Sequence, residues 1–183
     1  MLALLTALAL APCPPCAAEP IPWSPDVELA VADFRGPAGA AGHAAEANTG
    51  IKTSSRAGST ADSFVVEATT FFDPCESWFR RGRDAAADSA TLAHERIHFD
   101  LTEVYARRLV RRYAEEIDAH AEFLRRHEAI YEEVWAELQA AHRRYDEEVY
   151  ADGGRTVKWR RRVDEMLAGE RAYAAKQIRL AMR

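Results

Sequence analysis

The segment Leu92-Ala93-His94-Glu95-Arg96-Ile97-His98-Phe99 carries residue types and a spacing suited to metal chemistry. It contains His-Glu-x-x-His within a run free of Gly and Pro. On a helix, positions i and i+4 lie one above the other on one face, so His94 and His98 can point two imidazoles at one ion. Glu95 then sits where it can take a proton from a water held on that ion. The bare pattern arises by chance in roughly one chain of this size in a few hundred, so its setting matters. Asp88 or Ser89 is a suitable N-cap, and a helical pattern follows at once. Apolar residues recur at Leu92, Ile97, Leu101, Tyr105 and Leu109, which puts both histidines on the buried stripe. The competing reading is two core histidines bonded to neighbours. Burying two imidazoles without a shared partner costs free energy, and a shared cation removes that cost.

The elements that must position this motif divide the chain by composition. Residues 19–88 hold most of the Pro, Gly, Ser and Thr, whereas residues 89–151 contain no Gly or Pro. In the first part, Val27 to Phe34 alternates loosely, Gly36 to Asn48 reads as a loop, and Gly50 to Ser54 is a short strand. Ser63 to Phe72 is the clearest strand, with Phe64, Val66, Ala68, Thr70 and Phe72 on one face and Val65 on the other. Asp73-Pro74 ends it. The second part is helical. A first helix is expected from about Ser89 to Ile117, followed by a turn near Asp118-Ala119-His120-Ala121. A second carries Phe123, His127, Ile130, Val134, Leu138, Ala141 and Tyr145 on one stripe and ends at Asp152-Gly153-Gly154. A third runs from about Thr156 toward the C-terminus, with Trp159, Val163, Met166 and Leu167 on its apolar side. The expected fold is α+β: a small N-terminal antiparallel sheet packed on a long helical hairpin plus a third helix.

A catalytic zinc needs a third protein ligand and an open position. If the hairpin turn centres near residue 120, facing residues sum to about 240. His98 then faces His142, and His94 faces Asp146. A turn displaced by a few residues shifts this pairing, so Asp152 also remains a candidate. His142 and Asp146 read alternatively as a surface pair beside Arg143 and Arg144. Tyr105 and Tyr145 are candidate donors to an oxyanion, although each also fits a core tyrosine. His120 and His127 read as structural or solvated, His43 as exposed, and the Arg run at 160–162 as a solvated helix face.

The 183 residues suffice for one domain with a core. Charged residues make up 29%, the hydrophobic set 48%, and the net charge is -5, which offers no electrostatic case for nucleic acid. Residues 1–18 read as a secretory signal, with an apolar core from Leu2 to Ala11 and Cys16-Ala17-Ala18 before Glu19 as the cleavage site. The only positive charge ahead of the apolar core is the Met1 amine. The alternative of a membrane anchor is disfavoured because the run is too short to span and Pro12, Pro14 and Pro15 break it. A lipid-anchored start at Cys13 or Cys16 lacks a convincing lipobox. Cleavage after Ala18 leaves Cys75 alone, so no intramolecular disulfide is expected and Cys75 reads as a half-buried structural residue.

The chain resembles the bacterial domain-of-unknown-function 922 family, described as secreted zinc-dependent proteases. The matching pieces are Leu29-x-x-x-Asp33-Phe34-x-Gly36, Ala47-x-Thr49, the strand ending at Phe72 with Ser77-Trp78, then Leu92-Ala93-His94-Glu95-x-x-His98-Phe99-Asp100-Leu101-Thr102-Glu103-x-Tyr105-Ala106-Arg107, and last Tyr145-Asp146-x-Glu148 with Trp159. The His-containing block is the specific part. The family's Trp two before the Asp is Val31 here. The resemblance implies a zincin-like metallopeptidase with His94 and His98 as ligands and Glu95 as acid/base. The family's Thr-x-His-Gly after Tyr-Asp is replaced here by Val149-Tyr150-Ala151-Asp152-Gly153. The third ligand therefore stays open among Asp146, Asp152 and His142.

These features lead to an expectation of an exported, periplasmic or secreted peptidase. It would hold one zinc ion per chain and act on a peptide or protein substrate, with no membrane span in the mature chain. The strand from Phe64 to Phe72 is a candidate edge for an extended substrate. A catalytically impaired zinc-binding adaptor presenting its helical hairpin, and a zinc amidase acting on cell-wall peptides, are the alternatives.

Overall fold

A computed structural model describes residues 16–39, 42–60, 62–152 and 154–182. The apolar run Leu2 to Ala11, Cys13 and Gly153 lie outside these residues. The described elements are β1 (Ile21–Pro22), β2 (Ala45–Glu46), β3 (Thr49–Ala57), β4 (Ser63–Phe72), β5 (Trp78–Phe79), α1 (Ala85–Glu116), α2 (His120–Ala151), α3 (Arg155–Gly169) and β6 (Gln177–Ala181). The architecture is α+β: a small antiparallel sheet and three helices.

β4 is the centre of the main sheet. β3 pairs with it from Thr49↔Phe72 to Ala57↔Phe64. Its other side takes β1 at Phe71–Phe72 and β6 at Ser63–Glu67. Between those two, Lys176 accepts from the Ala68 N–H and Thr70 accepts from the Trp23 N–H, each at 2.9 Å. Both sides of β4 are thus occupied. The expectation that Phe64–Phe72 offers a free edge is corrected, because backbone groups of a central strand are already spent in the ladder. The alternation itself holds. Phe64, Val66 and Ala68 enter the main core with the helices, and Val65, outside that cluster, pairs across the ladder with Arg56 on one side and Arg179 on the other.

α1 starts four residues earlier than its apolar pattern suggests. Asp84, not Asp88 or Ser89, is the N-cap, accepting from the Ala87 N–H at 2.9 Å. Asp88 instead accepts from the Gly82 N–H and Arg81, fastening the preceding loop. α1 and α2 form the expected hairpin, and Ile117 N–H bonds back to Tyr113 as α1 ends. Leu101, Val104, Leu109, Val110, Val134, Leu138 and Tyr145 of these two helices, with Val163 of α3, are almost wholly buried in one core.

α3 does not run on to the C-terminus. It stops at Gly169, a turn at Arg171–Tyr173 follows, and Lys176 adopts φ 48 before β6 joins the sheet. Lys176 accepts this unfavourable backbone region while its ammonium lies 3.0 Å from both oxygens of the fully buried Glu103 carboxylate. Arg107 completes that cluster at 2.8 Å from Glu103. A second buried carboxylate, Asp100, takes the Trp23 indole N–H at 2.7 Å, Arg96 at 2.9 Å, and Arg160. Arg160 therefore ties α3 to α1 rather than standing on a solvated face. Val27 to Phe34 forms no strand: it makes a 3-10 turn at Val31–Asp33, and Leu29 and Phe34 join Phe72 and Phe99 in a second, smaller core.

Cys75 is not alone. It is bonded to Cys16 across 59 residues of chain, with a Cα–Cα separation of 5.5 Å. The expectation of no disulfide followed from placing cleavage after Ala18, which would remove Cys16. A chain cut before Cys16 keeps the bond. Closing a loop of this length restricts the unfolded chain, so reduction, or Cys75→Ser, is expected to lower stability by about 2–4 kcal/mol. Urea unfolding with and without reductant measures this, and intact mass before and after reduction shows whether the purified chain retains the bond.

Candidate metal centre

The hairpin register brings the motif together with α2. From α1, the Nε2 atoms of His94 and His98 lie 3.1 Å apart. From α2, Asp146 Oδ1 is 3.1 Å from His94 Nε2 and 3.0 Å from His98 Nε2. These three atoms form a nearly equilateral triangle, and they are a group able to hold a metal ion. A tetrahedral zinc with bonds of about 2.0–2.1 Å sets its ligands about 3.3 Å apart, so the triangle is close to ready-made and leaves a fourth position open. Two imidazoles and one carboxylate are also the donor types such an ion takes. The residues fit the group.

Glu95 points to the same cavity, with a volume of about 270 Å³, lined by His43, Ala45, Glu46, Ala47, His94, Glu95, His98, Asp146 and Tyr150. One carboxylate oxygen, Oε2, accepts from the Ala47 N–H at 2.9 Å. This bond orients the side chain and leaves its second oxygen available. Burial pushes the Glu95 carboxyl above its ordinary value, against the pull of His98, His94 and the Ala47 N–H. Burial also works against charge on Asp146, but hydrogen bonds from His94 and His98 outweigh it and hold that carboxyl well below the usual range.

The remaining sequence candidates separate clearly. His142 is adjacent but outside the triangle: its Nδ1 meets His98 Nδ1 at 2.6 Å, on the side of the ring away from Asp146. Burial and the neighbouring His98 push its imidazole down to about 3. Asp152 is the C-cap of α2, 58% exposed, bonded to the Gly154 N–H and 3.5 Å from Arg155. It does not reach the triangle because α2 ends just before it. Neither tyrosine proposed as a donor turns its hydroxyl to the cavity. Tyr145 stacks its ring on His94 at 4.6 Å, and its hydroxyl donates to the His94 carbonyl at 3.4 Å. Tyr105 is buried under Arg108, in a groove with Trp159 and Met166. His120 and His127 pack on Phe64 and Phe123, respectively, as structural residues.

Two participants were missed. Tyr150 lines the cavity, 65% exposed, with its ring 5.6 Å from His94. The spacing His142, Asp146, Tyr150 is a single i,i+4 row and was the available signal. Ala47 contributes only a backbone N–H, for which residue type carries no signal. It is held in place by β2, which pairs Ala45 with Phe79 and Glu46 with Trp78, and by Ser77, whose hydroxyl accepts from the Asn48 N–H.

The chain matches no family model, no curated protein and no solved structure. Among the described residues, no helix is long and apolar enough to cross a membrane.

Proposed function

We propose that this protein is a zinc-dependent peptidase, hydrolysing peptide bonds with Glu95 as general base and His94, His98 and Asp146 as metal ligands. The observation that carries this reading is the convergence of three ligand atoms within 3.1 Å of one another, from two helices, beside a buried carboxylate. The resemblance to the domain-of-unknown-function 922 proteases, and a zincin-like relationship, belong to the same proposal. A disulfide fits an exported protein, since such bonds persist in oxidising compartments.

A bound zinc ion would supply an acidified water and polarise the substrate carbonyl. Glu95 takes a proton from the attacking water on the oxygen that Ala47 leaves open, then returns it to the leaving amine. Tyr150, at the mouth, is the donor suited to the developing oxyanion, replacing Tyr105 and Tyr145 in that role. β2 and Ala47 border the cavity and give an extended peptide a backbone to lie against. The adaptor reading was motivated by the absent family His. Asp146 supplies a third donor without it, which weakens that motive. A cell-wall amidase would share the ligands and differ in substrate.

The test is zinc titration of the purified chain against Asp146→Ala and Asp152→Ala, with hydrolysis of an unfolded protein measured in parallel. Asp146→Ala is expected to weaken zinc binding by more than the roughly 10–100-fold that loss of an outer-shell partner costs, with activity lost at the same zinc concentration. Asp152→Ala is expected to match wild type in both. Equal zinc binding by Asp146→Ala and wild type would sink the ligand assignment. Cell-wall peptides cleaved while unfolded proteins are spared would favour the amidase.

A further inference from the structure

His142 lies close enough to His98 to have been a candidate ligand, yet its geometry gives it a different task. The contact between His98 Nδ1 and His142 Nδ1 is 2.6 Å, with ring centroids 4.8 Å apart and planes within 19° of parallel. Two nitrogens at this distance share one proton: one donates and the other accepts. The direction follows from the opposite edge of the His98 ring. His98 Nε2 faces Asp146 Oδ1 and His94 Nε2, where a metal ligand must offer a lone pair. The proton of a neutral His98 is then on Nδ1, and His142 Nδ1 must accept it.

The rest of the network agrees with that direction. An imidazole that accepts on Nδ1 carries its own proton on Nε2, and Nε2 of His142 lies 3.5 Å from Thr102 Oγ1. The Thr102 hydroxyl donates to the His98 carbonyl at 3.0 Å, so its oxygen is free to accept. Thr49 Oγ1, reaching from β3, is 2.8 Å from the same oxygen. The path runs from the His98 ring through His142 and Thr102 back to the His98 backbone. It crosses from α1 to α2 and is braced by the sheet.

We propose that His142 is a positioning residue for the metal centre: it accepts the Nδ1–H of His98, fixing that tautomer and aiming Nε2 at the position shared with His94 and Asp146. This rests on the metal reading above. Ligating histidines commonly donate their second N–H to a carboxylate, carbonyl or water. An imidazole here performs the same orientation without adding a negative charge. With Asp146 as the single anionic donor among the three residues that would hold it, a divalent ion would keep more of its charge.

The experiment uses zinc affinity, measured by competition with a chromophoric chelator, for wild type, His142→Leu and His142→Asn. Leu fills space but accepts nothing, whereas the Asn amide oxygen can take the place of Nδ1. His142→Leu is expected to bind zinc about 10–100-fold more weakly, and His142→Asn to come back to within about threefold of wild type. The visible spectrum of the cobalt-substituted protein should shift in the Leu variant and return in the Asn variant. Nitrogen-15 spectra of the zinc-loaded wild type give a readout independent of both variants: His98 protonated on Nδ1 and His142 on Nε2. A Leu variant with wild-type affinity, an Asn variant as weak as Leu, or the reversed tautomers would each overturn the proposal while leaving the ligand set standing. A wild type that binds no zinc overturns the metal reading itself.

Discussion

Glu95→Gln is expected to leave zinc binding unchanged and to lower hydrolysis by about 10²–10⁴-fold. The substitution keeps the size of the side chain, and the amide oxygen can still accept from the Ala47 N–H that orients Glu95. What it removes is the capacity to take a proton and give it back. His94, His98 and Asp146 contact one another directly and do not depend on Glu95 for position. Metal content and activity therefore come apart in this variant, whereas they fall together in Asp146→Ala. Zinc stoichiometry and initial rates on an unfolded protein, taken on one preparation, are the measurement. A rate equal to wild type would remove Glu95 from the chemistry and favour a non-catalytic zinc protein.

Glu103→Ala is expected to destabilise the fold by about 3–5 kcal/mol. Glu103 is wholly buried, and its carboxylate holds both Lys176 at 3.0 Å and Arg107 at 2.8 Å. Removing it strands two cations that are only 14% and 9% exposed, and an uncompensated buried charge is what makes breaking such a cluster costly. The loss is also topological. Lys176 leads into β6 from a left-handed backbone conformation, and its bond to Glu103 ties that turn to the middle of α1. Urea unfolding monitored by far-ultraviolet circular dichroism gives the change. A loss below about 1 kcal/mol would mean that the two cations find water once the carboxylate is gone. The double variant Glu103→Leu with Lys176→Met should recover part of the loss, because replacing a buried charged pair by apolar groups is often nearly neutral.

The hairpin and the strand at Ser63–Phe72 were legible because their evidence is local. A 3.6-residue or two-residue apolar period states which face is buried, and the absence of Gly and Pro from 89 to 151 states where helices can run. The facing pairs were legible too. With a turn near residue 120, His94 meets Asp146 and His98 meets His142, as the distances bear out. Less local features were misread. The end of α3 and the strand at Gln177–Ala181 depend on pairing with β4, more than 100 residues earlier in the chain. The Cys16–Cys75 bond depends on two segments meeting beside β1 and β4. Asp84 took the cap from Asp88 because Asp88 had a competing partner in the Gly82 N–H.

By itself the sequence determined the candidate set, two imidazoles and a carboxylate in five residues, and the helices that carry them, since helical spacing puts i and i+4 on one face whatever the rest of the chain does. Only the tertiary structure decided which neighbour lies against the two imidazoles. Asp146, His142 and Asp152 lie within ten residues of one another and are chemically similar candidates, yet a helix turns its successive residues to different sides and ends at a definite place. Asp146 therefore comes to the shared position, His142 comes to the back of His98, and Asp152 falls beyond the last turn. The partners of Glu95 and the crossing of β4 at the centre of the sheet were likewise settled by packing, because backbone N–H and C=O groups are alike in every residue and only position distinguishes them.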